Sequence, residues 1–283
     1  MKTIETVSAM NRLADDIRGR GERIGFVPTM GFLHEGHISL MREARRRSDV
    51  VVASIFVNPT QFGPREDFSR YPRDLARDCA MMETVPVDVL FAPTASEMYR
   101  PDAQTWIEVT DLTRGLCGKS RPGHFRGVTT VVAKLFNIVK PHLAFFGEKD
   151  FQQLRAIQRM VCDLNMDVEI VPMPIVREAD GLAMSSRNAY LSPAERADAL
   201  ALNRALVAAR KAYESGVRAP GDLVAAAMRV LAVTPTVAIE YVEAVDAETL
   251  DAPASPERPI VLAIATRVGA TRLIDNVVLS CPT

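Results

Sequence analysis

Five short apolar runs, separated by segments of helical spacing, constrain the fold of the first 176 residues more than any other feature. The runs share a β-prone composition and cover residues 23–28, 50–57, 87–93, 142–147 and 168–176. They are apolar throughout instead of alternating, as expected of parallel strands covered by helices on both faces. Residues 125–139 and 151–164 have the spacing of such helices. The pattern predicts an α/β fold with a doubly wound, Rossmann-like parallel sheet.

The pattern of the sequence changes after residue 176. A short polar loop is followed by two helical stretches, the first rich in alanine, and then by three β-prone runs. These elements cover residues 193–215, 220–232, 236–245, 259–267 and 271–279. Helices followed by closely spaced strands predict a smaller α+β domain with an antiparallel sheet. We therefore expect two domains, residues 1–176 and residues 177–283.

Composition excludes several classes of protein. With 34 basic and 35 acidic residues, the chain lacks the positive charge of a nucleic-acid-binding protein. The four cysteines are far apart and form no CxxC pair, which predicts neither a disulfide framework nor a zinc site and fits a reducing cytoplasm. No apolar run approaches the length of a membrane span, and Asp15 and Asp16 argue against a signal peptide. We expect a soluble protein with no membrane partner.

The segment PTMGFLHEGH, residues 28–37, follows the first predicted strand and precedes a helical segment. Ligands bind doubly wound sheets at the carboxyl ends of strands, and a helix N-terminus offers unpaired N–H groups that suit phosphate. His34 and His37 are three residues apart, so both lie on one side of the first helical turn. There they can hydrogen-bond phosphoryl oxygens during an attack at phosphorus. This segment predicts a nucleotide site.

The nucleotide-like motifs have other interpretations. HEGH lacks the i, i+4 histidine spacing of a zincin, so no metal site is predicted, whereas a structural turn containing histidines stays open. Residues 118–120 read GKS, but a P-loop needs glycine where Thr113 stands and a strand immediately before it. Residues 19–25, GRGERIG, precede their strand instead of following it. Neither a Walker-type ATPase nor an NAD-binding protein is indicated.

Four motifs, in this order, resemble those of the pantoate–β-alanine ligase family. They are PTMGFLHEGH (28–37), SIFVNPTQF (54–62), FFGEKDFQQ (145–153) and READGLAMSSRN (177–188). The resemblance covers most of the first 190 residues, and the helix-then-strand layout of the tail continues it. The HxGH segment alone implies only the wider superfamily of nucleotidyltransferases and class I aminoacyl-tRNA synthetases.

The resemblance implies two chemical steps in one site. The pantoate carboxylate attacks the α-phosphorus of ATP and releases pyrophosphate; the β-alanine amine then attacks the pantoyl adenylate and releases AMP. Mg²⁺ is expected with ATP, and the site must exclude water because an acyl adenylate hydrolyses. The resemblance further implies a cytoplasmic homodimer in which residues 177–283 form a lid domain beginning with the MSSR loop.

The resemblance to the family also implies roles for individual residues of this chain. His37 and His34 would assist the phosphoryl step together with Lys149 and Arg187. Gln61 matches a position shared by pantoate and β-alanine, and Gln153 matches a second pantoate-binding position. The ATP-binding positions are Met30, Gly31, Phe32, Leu33, His34, Glu35, Gly36, His37, Gly147, Glu148, Lys149, Asp150, Val176, Met184, Ser185, Ser186 and Arg187.

Within these matches, Lys149 would meet phosphate, Asp150 could take the ribose hydroxyls, and Val176 would contact adenine through its backbone. The MSSR loop departs from the synthetase sequence KMSKS, because Ala183 and Ser186 stand at its lysine positions. Arg187 is expected to supply the positive charge, since arginine can hold phosphate in a bidentate manner.

Structural interpretations compete at several positions. Lys149 and Asp150 could form a solvated ion pair, and Gln152 and Gln153 could be ordinary helix surface. Arg121 and His124 could bind an anion or pack a loop, and the sequence leaves both open. His142 is predicted to be structural.

The main alternative function is a nucleotidyltransferase of the HxGH type. Gln61 and Gln153, as expected of a pocket for a small hydroxy acid, favour the ligase. An RNA-binding module without ligase activity is disfavoured by the neutral net charge.

Overall fold

The computed structural model describes residues 1–64, 66–255 and 257–280. The chain divides into two compact units that are discontinuous in sequence. The first comprises Met1–Val109, Arg121–Glu148 and Ala156–Pro174, and the second comprises Thr110–Ser120, Lys149–Arg155 and Ile175–Thr283. Residues 110–120 and 149–155 group with the second unit although they precede residue 176, where the sequence pattern changes. No helix of the described part is long and apolar enough to cross a membrane.

Strands and helices alternate through the first part of the chain. The strands are β1 (Lys2–Ile4), β2 (Ile24–Thr29), β3 (Val50–Ile55), β4 (Val89–Phe91), β5 (Leu143–Gly147), β6 (Glu169–Met173), β7 (Val237–Asp246), β8 (Ile260–Val268) and β9 (Thr271–Leu279). The helices are α1 (Val7–Gly19), α2 (Glu35–Arg47), α3 (Leu75–Met82), α4 (Ala95–Met98), α5 (Leu116–Ser120), α6 (His124–Val139), α7 (Phe151–Asp163), α8 (Pro193–Glu214) and α9 (Pro220–Leu231). Short 3₁₀ turns cover Pro59–Gln61, Glu148–Asp150 and Ser186–Tyr190.

The first unit contains a parallel sheet of six strands in the order β1-β4-β3-β2-β5-β6. This confirms the predicted fold class, and each of the five predicted strands forms. The side chains of β2 to β5 are mostly buried on both faces, as Phe26, Leu90 and Phe145 illustrate with no exposed surface, whereas β6 is partly exposed. The edge strand β1 was not predicted, because its three residues include only one that is buried.

The order of the strands reverses at β2, which pairs with β3 on one side and with β5 on the other. In parallel sheets ligands bind beside such a reversal, at the carboxyl ends of the strands. The segment PTMGFLHEGH continues from β2, and the GEKD turn continues from β5. The topology therefore places the beginnings of both motifs at one edge of the sheet.

The second unit contains the antiparallel meander β7-β8-β9. One face packs against α8 and α9, where Leu262, Ile264 and Leu273 of the sheet meet Leu202 and Leu206. Alternate positions of β8 face the other side and join a smaller cluster with the buried side chains of Leu116, Val245 and Leu250. The predicted α+β organisation is therefore confirmed, with each of the five predicted elements formed close to its expected position.

Candidate active site

The loop between β2 and α2 has a strained backbone that a buried carboxylate holds in place. Gly31 has φ +79° and Phe32 has φ +49°, both in the left-handed region. Asp78, on α3, is only 1% exposed and accepts the backbone N–H groups of Phe32 and Leu33, each at 2.7 Å. The Thr29 hydroxyl accepts the N–H of Gly31 at 3.1 Å. Asp78 had no signal in the sequence, since it lies 41 residues beyond the histidine segment (78 against 37).

His34 and His37 meet at the start of α2. His34 is the N-cap residue, and its backbone N–H donates to Nδ1 of His37 at 3.3 Å. The two imidazole rings are 4.0 Å apart between centroids. Because Nδ1 of His37 accepts a hydrogen bond, the neutral ring carries its proton on Nε2. This arrangement makes Nε2 of His37 a hydrogen-bond donor, as the predicted phosphoryl role requires.

Gln61 lies in the 3₁₀ turn that follows β3. Its side chain is 8% exposed; Oε1 accepts from Asn58 at 3.1 Å, and Nε2 contacts the Sδ of Met30 at 3.0 Å. Met30 belongs to the segment that carries the histidines. The first unit thus brings together two motifs that are separated in the sequence.

The turn of Gln61 is held in place by Asn58, Tyr99 and Gly127, none of which was predicted as a site residue. Asn58 is 1% exposed, and its Oδ1 accepts hydrogen bonds from the Tyr99 hydroxyl and the Thr60 hydroxyl, both at 2.9 Å. Burial raises the pKa of Tyr99, which keeps the hydroxyl a donor. Gly127 of α6 accepts from the Asn58 amide at 3.2 Å, and a Cβ there would lie 2.4 Å from the Thr60 carbonyl oxygen. Only glycine allows this approach.

Arg121 and His124 contact the backbone of Gln61, as the loop-packing interpretation of these residues predicts. His124 Nδ1 lies 2.8 Å from the Gln61 carbonyl oxygen and donates to it, so Nε2 accepts from Arg121 at 3.0 Å. Arg121 also pairs with Glu66 through two contacts of 2.6 Å. Burial opposes ionisation of that carboxyl, but the Arg121 hydrogen bonds and charge lower the pKa of Glu66 to about 2.

The second unit contains the last two residues of the GEKD turn and the start of α7. The Lys149 ammonium lies 4.0 Å from the Asp150 carboxylate, and the two side chains are 18% and 50% exposed. A contact this long is a weak ion pair. Gln153 is half-buried.

Gln152 does not lie on the helix surface, which was one interpretation of the sequence, because only 7% of it is exposed. Its Oε1 accepts from the backbone N–H of Cys117 at 3.0 Å, and its Nε2 donates to the carbonyls of Leu112 and Gly115. Gln152 therefore holds the loop that precedes α5.

The MSSR segment is tied to the residues before it. The backbone N–H of Met184 donates to the Val176 carbonyl at 3.0 Å. The Ser185 hydroxyl accepts the N–H of Arg187 at 3.3 Å and caps the 3₁₀ turn, in which Ser186 is buried. This hydrogen bond places Val176 next to the MSSR segment within the second unit.

The GKS sequence belongs to a helix and not to a phosphate-binding loop. Leu116–Ser120 forms α5, in which Lys119 is exposed. A Cβ at Gly118 would lie 1.8 Å from the carbonyl oxygen of Thr113, so this glycine permits a close approach of two backbones.

A family model described as pantoate-beta-alanine ligase matches residues 2–278 of the chain. The chain belongs to this family. Pantothenate synthetases of Geobacter sulfurreducens and Thermotoga petrophila are 57% and 56% identical to it over 279 residues. These alignments cover 99% of the chain and 99% and 100% of the two relatives. The chain is thus a ligase, and the condensation of pantoate with β-alanine is its reaction.

Solved structures agree with the family. The crystal structure of pantothenate synthetase from Thermus thermophilus is 45% identical, with a TM-score of 0.94 over 99% of this chain and 100% of that one. A pantoate–β-alanine ligase from Francisella tularensis, solved in complex with beta-gamma ATP and β-alanine, is 33% identical with a TM-score of 0.79. That comparison covers 98% of this chain and 97% of the other.

Proposed function

We propose that the ligase makes pantothenate in two steps, through a pantoyl adenylate formed from ATP. The geometry that supports this most directly is the placement of the paired histidines and Gln61 in one unit, linked through Met30. Phosphate-binding groups beside a polar, uncharged amide suit a reaction between a nucleotide and a hydroxy acid. The relative from Francisella tularensis, solved with beta-gamma ATP and β-alanine, supports ATP as the energy source.

In the first step, the histidines stabilise charge on the phosphates. Nε2–H of His37 donates to a phosphoryl oxygen while pyrophosphate leaves, and His34 assists from the neighbouring ring. The bond from the His34 backbone to Nδ1 fixes the orientation of the His37 ring before ATP binds. A donor that needs no reorientation stabilises developing charge more effectively than one that must first be ordered.

Gln61 binds pantoate and later the incoming β-alanine, and Gln153 contributes a second amide to pantoate. The Asn58 amide donates to Oε1 of Gln61, which orients the Gln61 side chain with its own N–H₂ group toward Met30. An amide held in one orientation discriminates donors from acceptors on the substrate. No net charge is added beside the two carboxylate substrates.

Further contacts to ATP are proposed for the residues that the family resemblance singled out. Lys149 and Arg187 bind phosphate, Asp150 binds the ribose hydroxyls, and the backbone at Val176 contacts adenine. Mg²⁺ accompanies ATP as a complex with its phosphates, so the metal enters with the substrate. In this proposal residues 177–283 act as the lid that protects the acyl adenylate from water.

The proposal extends to the cellular setting. A homodimer is inferred from the resemblance to the family, and a cytoplasmic location is inferred from the need for ATP. Free thiols at Cys79, Cys117 and Cys162 are compatible with a reducing compartment.

A product assay tests the proposal. The full chain, supplied with ATP, Mg²⁺, pantoate and β-alanine, should form equal amounts of AMP, pyrophosphate and amide. His37→Ala should slow pyrophosphate release in the first turnover by about 10²- to 10³-fold, as is typical when one donor to developing charge is lost. ADP as the product, or a normal first turnover in His37→Ala, would contradict the proposal.

A further inference from the structure

Two buried polar residues stand next to each other on β9, where no motif singled them out. Asp275 and Asn276 are 3% and 4% exposed. Because they are consecutive on a strand, their side chains leave opposite faces of the small sheet. In the register with β8, Asp275 stands opposite Ile264 and Asn276 opposite Ala263. Buried polar side chains in a sheet require partners, and the partners of these two are informative.

Asn276 holds the backbone of the GEKD turn. Its Nδ2 donates to the carbonyl oxygen of Lys149 at 2.9 Å. This bond joins residues 127 positions apart in the sequence. The turn is short, so the position of its backbone determines where the Lys149 ammonium and the Asp150 carboxylate can reach.

Asp275 holds the start of the segment that leads to MSSR. Its two carboxylate oxygens accept from the Arg177 guanidinium at 2.6 and 2.9 Å, a bidentate pair. The same guanidinium donates to the Gly181 carbonyl at 3.1 Å, and Arg177 forms an isolated β-bridge with Ala183. The next residue, Met184, is the first of the MSSR segment. Asp275 thereby fixes the base of the loop from which this segment emerges.

We infer that Asp275 and Asn276 are positioning residues for ATP. They link two nucleotide-binding segments to one strand, so that the lysine of the first and the MSSR segment of the second keep their spacing. In this inference both residues act through the segments they hold and not by contact with substrate. The inference rests on the proposed function, specifically on the assignment of Lys149 and of residues 184–187 to ATP.

The same unit offers a matched control, the pair of Asp246 with Arg258. The Asp246 side chain is 2% exposed and is paired with this arginine through both carboxylate oxygens. It also accepts the backbone N–H groups of Glu248 and Thr249 at 2.8 and 2.9 Å. Asp246 and Asp275 are therefore alike in burial and in partner, but only Asp275 holds a predicted ATP-binding segment.

The test compares Asn276→Ala, Asp275→Asn and Asp246→Asn in the full chain. For each variant we would measure the KM for ATP, the KM for β-alanine, the first-turnover rate of pyrophosphate release and the midpoint of urea unfolding. The first two variants should raise the KM for ATP about tenfold, the effect of one lost hydrogen bond, and leave the KM for β-alanine within about twofold. Asp246→Asn should lower the midpoint comparably and leave the KM for ATP unchanged.

Lys149→Ala separates the inference from the proposed function. If Lys149→Ala raises the KM for ATP but Asn276→Ala and Asp275→Asn behave like Asp246→Asn, the inference is wrong and the proposed function stands. If Lys149→Ala has no effect on ATP, the proposed role of the lysine fails, and the inference for Asn276 fails with it.

The double variant Lys149→Ala/Asn276→Ala gives the sharpest result. If Asn276 acts through the lysine, its substitution should add less than about twofold to the KM for ATP in the Lys149→Ala background. If Asn276→Ala raised the KM for ATP as much in the Lys149→Ala background as in the parent, Asn276 would not act through the lysine. Should Asn276→Ala fail to fold, Asn276→Ser replaces it, because the shorter side chain stays polar but cannot reach the carbonyl.

Discussion

Replacement of the buried Asp78 by asparagine should loosen the histidine-bearing loop that this side chain holds. Both carboxylate oxygens accept backbone N–H groups at 2.7 Å, from Phe32 and Leu33. Asparagine preserves the shape but presents an N–H₂ group to one of these donors. The variant loses one hydrogen bond to a charged acceptor and leaves a buried N–H without an acceptor. We expect a cost of about 2–4 kcal/mol in the free energy of unfolding.

The assay is urea unfolding of Asp78→Asn beside Asp74→Asn. Asp74 caps the same helix, accepts the N–H of Arg77 at 3.0 Å and is exposed. Asparagine is as good an N-cap as aspartate, so this control should lose less than about 1 kcal/mol. Asp78→Asn should also raise the KM for ATP, because the left-handed conformation at Phe32 loses its support. Equal stability of the two variants would refute the reasoning.

Three further predictions concern other parts of the molecule. The pKa of Glu66 is lowered from 4.5 to about 2, so the stability it contributes should be complete above about pH 5 and disappear as the pH falls toward 2. Urea unfolding at pH 6 and pH 3 should show a smaller loss for Glu66→Gln than for the parent, and an equal loss would contradict this pairing. Gly127→Ala should cost about 1–3 kcal/mol through overpacking and raise the KM for pantoate, whereas Gly221→Ala, which has open space, should do neither. Lys149→Ala should weaken ATP binding measured by calorimetry, and Lys119→Ala should not. The reverse result would contradict the proposed position of the ATP phosphates beside Lys149.

The fold was predictable to the extent that burial leaves a local pattern. Continuous apolar runs predicted β2 to β6, and coverage of both faces of the parallel sheet accounts for the runs of β2 to β5. The helix-then-strand order marked the second unit equally well. By contrast, α4 and α5 contain four and five residues and carry no periodic pattern long enough to recognise. The assignment of residues 110–120 and 149–155 to the second unit depends on contacts that no local pattern encodes.

In the candidate site, too, some residues were predictable from the sequence and others were not. Residues expected to touch substrate lie in compact motifs, so the histidines and Gln61 could be named in advance. Asp78, which holds the histidine loop, and Asn276, which holds the backbone of Lys149, are single polar side chains supplied from elsewhere in the sequence. A buried polar residue looks like a surface residue until its partner is known. The residues that support the site can therefore be identified only from three-dimensional contacts.

The fate of oxygen in the reaction tests the central claim most directly. If pantoate attacks the α-phosphorus of ATP, one of its carboxylate oxygens bridges the mixed anhydride, and amine attack at carbon leaves that oxygen on AMP. With pantoate labelled by ¹⁸O in its carboxylate, mass spectrometry should find label in AMP in step with amide formation, and pyrophosphate should be released before β-alanine is added. Unlabelled AMP would contradict the acyl-adenylate route and the roles assigned to His34, His37, Lys149 and Arg187.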